Sequence, residues 1–167
     1  MIIKELRDED FVNYKKPSMF IAFPSCSWKC EKECEMRVCQ NSALAQAPDI
    51  EIEAETIVDR YLSNPITNSI VIGGLEPFDD YRDLLELLSY FRFKKCYDDI
   101  VIYTGYTEAE CKGRGYLFDL QSYSPIIIKF GRFIPNQQPH YDEVLGVKLA
   151  SDNQYGKKIL GRGRHNG

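Results

Sequence analysis

Four of the six cysteines, Cys26, Cys30, Cys34 and Cys39, fall in one stretch, SCSWKCEKECEMRVCQN. Thiols gathered in a loop can ligate a metal once deprotonated, and their spacing narrows the choice of metal. Structural zinc sites take two tight pairs set far apart, whereas an iron–sulfur cluster can draw its thiolates from one continuous loop. One continuous loop favours the cluster. Zinc is the second reading, and disulfide-bonded or unligated thiols the third. The N-terminal sequence MIIKELRDEDF turns charged at once and shows no apolar signal segment, so the expected setting is cytoplasmic and reducing.

Three further stretches put small or polar residues where an apolar run stops. Ser69 to Glu76 reads SIVIGGLE, in which Gly73 and Gly74 end a strand where the backbone must turn tightly or let a ligand approach. Asp99 to Tyr106 reads DIVIYTGY and stops at Thr104–Gly105. Ala150 to Gln154 reads ASDNQ, with Ser151, Asn153 and Gln154 able to hydrogen-bond a ribose, a carboxylate or a partner backbone, or simply to cap a turn.

Together these residues resemble a family. An apolar strand, then CxxxC, then Val38–Cys39–Gln40–Asn41 is similar to the cluster loop of radical S-adenosylmethionine (SAM) enzymes. The closest likeness is to the small activating proteins of anaerobic ribonucleotide reductase. Gly73–Gly74–Leu75–Glu76–Pro77 resembles the family's GGE(P) motif with Leu75 inserted, and Thr104–Gly105–Tyr106 resembles the activating proteins in particular. IIIKFGRF (126–133) looks like a further family segment, and ASDNQ like the closing S-x-NQ step. The family spacing is CxxxCxxC with an apolar residue before the last cysteine. Val38 therefore favours Cys26, Cys30 and Cys39 as the ligand set. Cys34 is left open as a spare thiol, a fourth ligand, or the third ligand in place of Cys39.

The resemblance, which runs from about Ser18 to Gln154, implies a [4Fe–4S] cluster with one iron open to SAM. It also implies reductive cleavage of SAM to methionine and a 5′-deoxyadenosyl radical. In the activating proteins that radical takes a hydrogen atom from a glycine Cα of the large reductase subunit. Cofactor contacts are implied for Val38, Asn41, Gly73, Gly74, Leu75, Glu76, Thr104, Gly105, Ser151, Asn153 and Gln154. The backbone at the glycines and the Glu76 carboxylate would meet the SAM amino group. The implied partners are that large subunit or another glycyl-radical protein, and a flavodoxin- or ferredoxin-type electron donor. Two alternatives stand beside this: a small radical SAM enzyme with another substrate, and a non-enzymatic binding module stabilised by zinc or a cluster.

The elements that must position these residues follow from periodicity. Met19–Phe23, Ile70–Ile72, Asp99–Tyr106 and Ile126–Phe130 read as buried strands, and Gly146–Leu149 as the last strand. Helices are expected over 41–47, over 53–64 with Ile57, Val58, Tyr61 and Leu62 on one face, and over 79–93 with Leu84, Leu87, Leu88 and Phe91. Acids at Asp79 and Asp80 suit the positive end of the last helix. The residues from 119 to 124 read as a polar joint.

Strands alternating with helices give an α/β fold with a mostly parallel sheet. The resemblance makes it a partial, open (βα) barrel with functional residues at the strands' carboxyl ends. At 167 residues and 44% apolar content the chain suits one core. It reads as a single domain with an N-terminal arm or edge strand over 1–17 and a basic, glycine-loosened tail over 155–167. A net charge of -4 and a pI near 5.3 speak against nucleic-acid binding, and no run is long enough for a membrane span. Cys96 and Cys111 read as passive thiols, Lys129 as a snorkelling strand residue, and His140 beside Asp142 as a solvated loop histidine.

Overall fold

The computed structural model describes residues 1–162. The chain begins with β1 (Ile2–Ile3), β2 (Glu5–Asp10) and β3 (Ser18–Phe23), followed by α1 (Lys29–Cys34) and α2 (Ser42–Gln46). It continues through β4 (Ile50–Glu51), α3 (Ala54–Leu62), β5 (Ser69–Gly74), a 3-10 turn (Pro77–Asp80) and α4 (Tyr81–Phe93). Then come β6 (Asp99–Tyr103), α5 (Glu108–Gly113), α6 (Tyr116–Leu120), a 3-10 turn (Gln121–Tyr123) and β7 (Ile126–Phe130). The hairpin β8 (His140–Asp142) and β9 (Val147–Leu149) precedes β10 (Tyr155–Ile159).

The result is a mixed α/β fold around a six-stranded, mostly parallel sheet in the order β10-β7-β6-β5-β3-β2. β3, β5, β6 and β7 run parallel, and β2 and β10 close the edges antiparallel. The parallel strands carry aliphatic residues on both faces because both faces are covered. Ile70, Ile72, Ile100, Ile102, Ile126 and Ile128 face the helical side, against Ile57, Val58 and Tyr61 of α3 and Leu84, Leu87, Leu88 and Phe91 of α4. Truncating any one of these isoleucines to alanine costs about 2–5 kcal/mol. The alternate residues Val71, Val101 and Ile127 face the other side. There the cover is Tyr14 from the β2–β3 loop with Leu145 and Leu149 from the β8–β9 hairpin.

Several elements depart from the sequence reading. The first five residues of the expected tail are strand β10, paired residue for residue with β7 from Tyr155↔Phe130 to Ile159↔Ile126. Only Ile159 of β10 is buried, and an edge strand that carries Gly156, Lys157 and Lys158 gives no apolar run to read. Positions 163–167 of that tail lie outside the described residues. The polar joint over 119–124 begins in α6 and ends in a 3-10 turn, and α5 precedes it behind a Thr107–Glu110 capping box. The N-terminal segment, by contrast, supplies an edge strand, β2, to the main sheet, while β1 pairs with β4. Among the described residues no helix is long and apolar enough to cross a membrane.

The two glycines at the end of β5 serve different ends. Gly74 has φ +98°, and a Cβ there would lie 2.6 Å from the Phe23 nitrogen and 2.8 Å from the Ala22 Cα, both backbone atoms of β3. At Gly73 a Cβ would meet the Phe20 ring at 3.3 Å, a side chain able to shift. Gly74→Ala is therefore expected to cost at least about 2 kcal/mol in urea denaturation, from backbone strain and close approach together. Gly73→Ala is expected to cost less; equal losses would contradict the geometry.

Candidate functional site

The carboxyl ends of β3, β5, β6 and β7 lie side by side, and the segments that leave them enclose a cleft of about 330 Å³. Its walls include Cys26, Cys30, Val38, Cys39 and Asn41 from the cysteine loop, and Gly74, Leu75 and Glu76 after β5. Thr104, Gly105, Lys129, Arg132 and Gln154 also line it. The volume lies in the usual range for a small-molecule site.

Cys34 does not border this cleft. It lies with Cys30, Glu33, Thr107, Arg132 and Ile134 on a second cleft of about 150 Å³. The split has a local cause. Cys30 and Cys34 sit one turn apart on α1, which ends at Glu35 in the left-handed region (φ 53°). The chain then returns to the main cleft at Val38–Asn41, where Asn41 Nδ2 donates to the Gly74 carbonyl at 2.8 Å and the Cys39 N–H to Glu31 Oε1 at 3.4 Å. All six cysteines are free thiols. Cys96 and Cys111 are buried away from the loop, as inert thiols are.

The wall is built on Glu76, which is 5% exposed. Its Oε1 accepts from Phe78 N–H at 3.1 Å and from the Thr104 hydroxyl at 2.8 Å, and its Oε2 accepts from Gly105 N–H at 2.8 Å. Burial pushes its carboxyl up to about 7 against the pull of these three donors. Both oxygens are committed to protein donors, so Glu76 is a clamp between the loops after β5 and β6. Leu75 N–H donates to Phe23 O and Glu76 N–H to Ser25 O. Backbone carbonyls and the second lone pair of Glu76 Oε2 are then the accepting capacity left on this wall.

Two cations that sequence reasoning passed over sit beside the thiols. Lys129 does not snorkel. It follows Ile127 on the same sheet face, is 8% exposed, and donates to the Gly131 carbonyl at 2.8 Å. Burial lowers its ammonium to about 8, partly offset by Glu76 and Cys30. The signal was a lysine within an otherwise apolar run whose alternation aims it at the carboxyl-end cleft. Arg132, 7% exposed, forks onto Glu110 at 2.7 and 3.0 Å, and its Nε lies 3.2 Å from Glu33. That fork holds Glu110 down at about 2.

The thiols themselves are shifted by their surroundings. Burial pushes Cys26 up to about 11, opposed by a hydrogen bond from Trp28 N–H and reinforced by Glu76 and Asp79. Burial also raises Cys30, opposed by Phe133 N–H, Arg132 and Lys129. The backbone donors to both thiols and the two cations beside Cys30 work against that rise, toward the thiolate form that a metal needs. Among the described residues no three His, Cys, Asp or Glu are gathered closely enough to hold a single ion. Three thiols around one cleft, with room between the walls, suit a cluster in which each thiolate takes a different iron.

Of the residues singled out from sequence, Ser151, Asn153 and Gly73 do not border the main cleft. Ser151 Oγ accepts from Ile134 N–H, and Asn153 Nδ2 donates to the Arg132 carbonyl. Gln154 does border the cleft, but its amide bridges Ser151 N–H and the Gly131 carbonyl, so the three close the turn into β10. His140 and Asp142 lie on β8 rather than in a loop, and Asp142 accepts from Leu145 and Gly156 N–H.

A family model described as 4Fe-4S single cluster domain matches residues 18–153, and this family is found in radical SAM-type iron–sulfur proteins. The match covers most of the chain, which belongs to that family. No curated protein and no solved structure matches it.

Lys129 gives the site a pH signature. Below pH 8 the native state carries a buried ammonium. Between about 8 and the ordinary 10.5 only the native state sheds the proton, so the wild type gains stability as pH rises through that window. Glu76 titrates below it and works in the opposite sense: its raised value makes stability fall between the ordinary 4.5 and about 7. Lys129→Met is expected to be more stable than the wild type at pH 7, with the advantage shrinking toward pH 10. Thermal unfolding across that range checks it, and a constant difference would contradict a buried charge.

Proposed function

We propose that this member of the 4Fe-4S single cluster domain family is a radical SAM enzyme of the glycyl-radical-activating kind. In this reading Cys26, Cys30 and Cys39 hold a [4Fe–4S] cluster, SAM lies in the main cleft, and the substrate is a glycine of a partner protein. The large subunit of an anaerobic ribonucleotide reductase is the first candidate partner, and a flavodoxin- or ferredoxin-type protein the electron donor. The observation that carries the reading is the division of the thiols: three border the same cleft as the Gly74–Glu76 wall, and the fourth turns to another.

A cluster held by Cys26, Cys30 and Cys39 would supply the one-electron chemistry that cleaves SAM, with the electron coming from the donor protein. The chain's own part is positioning. The Leu75 carbonyl, the second lone pair of the Gly74 carbonyl and the remaining lone pair of Glu76 Oε2 suit the ammonium of an amino acid. Lys129 has two donors beyond the one spent on Gly131, which suit a carboxylate. Thr104 and Gly105 are held in place by Glu76, and Val38 and Asn41 flank the third thiol.

The far side of the sheet supports a macromolecular substrate. Tyr14, Leu145 and Leu149 pack onto Val71, Val101 and Ile127, so that face of the sheet is closed by the chain's own side chains, and Leu149 also borders the cleft. In this reading the four parallel strands and their crossovers correspond to a partial, open barrel in a single domain.

Anaerobic reconstitution followed by electron paramagnetic resonance, with iron and zinc quantified on the same sample, tests the proposal. About four irons per chain and a reduced-cluster signal that changes on adding SAM are expected. Cys26→Ser, Cys30→Ser and Cys39→Ser should lose the signal, while Cys34→Ser keeps it. Lys129→Met should keep the cluster and weaken SAM binding by roughly tenfold or more, the loss of one charge-assisted hydrogen bond. One tightly held zinc with no response to SAM would leave the non-enzymatic module.

A further inference from the structure

Two adjacent carboxylates, Asp79 and Asp80, stand at the start of α4, where acids ordinarily complement the helix dipole. Neither is spent there: Asp80, the N-cap of α4, makes no side-chain capping bond. Both reach across to the start of the cysteine loop. Asp80 accepts from Ser25 N–H at 3.0 Å and from the Ser25 hydroxyl at 2.7 Å. Asp79 Oδ2 accepts from Ser27 N–H at 2.6 Å. Cys26 is therefore held on both sides by carboxylates fixed in the turn that follows the Glu76 clamp.

Asp79 is the more tightly engaged of the two. Its other oxygen accepts from the Tyr106 hydroxyl at 2.6 Å, and its own N–H donates to the Glu76 carbonyl. The buried Tyr106 ring lies edge-on to Phe78. Its face is met by the ammonium of Lys29 at 4.0 Å, and Arg114 lies at 4.9 Å. Lys29 belongs to the same loop, next to Cys30. One Tyr106–Asp79 unit thus grips the segment between the first two cysteines at both ends: Ser27 through the carboxylate and Lys29 through the ring.

We propose that Asp79 is a positioning residue for the cluster, fixing the backbone beside Cys26 and keeping a negative charge next to that ligand. The proposal rests on the cluster assignment above. Its geometric half concerns the loop alone, whether or not a cluster is bound. Its electrostatic half concerns reduction: a fixed negative charge beside the cluster disfavours the added electron, so removing that charge makes reduction easier.

Hydrogen exchange of the cluster-free chain and potentiometric titration of the reconstituted protein test the two halves. Asp79→Asn is expected to speed exchange at Ser27 roughly tenfold or more, as loss of a charge-assisted bond implies, with exchange in β5 unchanged. Asp80→Asn should act at Ser25 instead. In the reconstituted protein Asp79→Asn should move the midpoint to a more positive potential, by more than Asp80→Asn does. Tyr106→Phe, which keeps the charge and loses the anchor, should raise exchange at Ser27 with a smaller midpoint change. It also serves as the test if Asp79→Asn does not fold. Unchanged exchange at Ser27 in both variants, or equal midpoint shifts for Asp79→Asn and Asp80→Asn, would overturn the proposal. A wild-type chain that takes no cluster would instead overturn the assignment it rests on, and the exchange data would still decide whether Asp79 holds the loop.

Discussion

The buried carboxylate of Glu76 is the constraint on which the site depends. A carboxylate taken out of water costs several kcal/mol unless its lone pairs find donors. Here the donors come from two separate segments: Phe78 in its own turn, and Thr104 and Gly105 after β6. Satisfying one buried charge therefore fixes the distance between two strand ends. The backbone joins a third end to them, because Leu75 and Glu76 donate to Phe23 and Ser25 at the carboxyl end of β3. Cys26 follows Ser25 directly, so the first thiol inherits its position from this clamp. The inserted Leu75 belongs to the same logic, since it carries the first of those two N–H groups.

The two cations of the cleft illustrate opposite solutions to burial. Arg132 is neutralised by a fork onto Glu110 with Glu33 nearby, and the pair ties α5 to the cleft wall as a structural element. Lys129 has one carbonyl partner and is pushed toward its neutral form by burial. A strand position there would hold a branched aliphatic residue at lower cost, as Ile127 does two positions earlier on the same face. An ammonium kept in such a place, with donors unspent, costs stability that an aliphatic residue would not.

What the sequence made legible was whatever repeats with a period. The four parallel strands are continuous aliphatic runs, α3 and α4 have complete apolar stripes, and the structure returns each within a few residues of its expected bounds. The cysteine cluster and the glycine turn were legible by residue type. Elements defined by partners were not. Three of the five residues of β10 are glycine or lysine, and it exists because β7 offers an open edge. α5 is six residues long and rests on a capping box. Asp79 and Asp80 looked like dipole acids because local sequence cannot show a hydrogen bond that closes across more than fifty residues. The same holds for Ser151, Asn153 and Gln154, whose polar groups suit a ligand and a tight turn equally; the turn has them.

The irregular cysteine spacing follows from helix geometry. Side chains at i and i+4 point the same way from a helix, about 5–6 Å apart at Cβ. Cys30 and Cys34 stand in that relation on α1, and of the two only Cys30 borders the main cleft. The left-handed residue Glu35 ends the helix and reverses the chain, and the four residues from Glu35 to Val38 bring Cys39 back to the main cleft, where Asn41 bonds the Gly74 carbonyl. The extra length between Cys30 and Cys39 is thus the length of a helical turn plus its return. It leaves Cys34 on the outer cleft with Thr107 and Ile134 as a consequence of where α1 points.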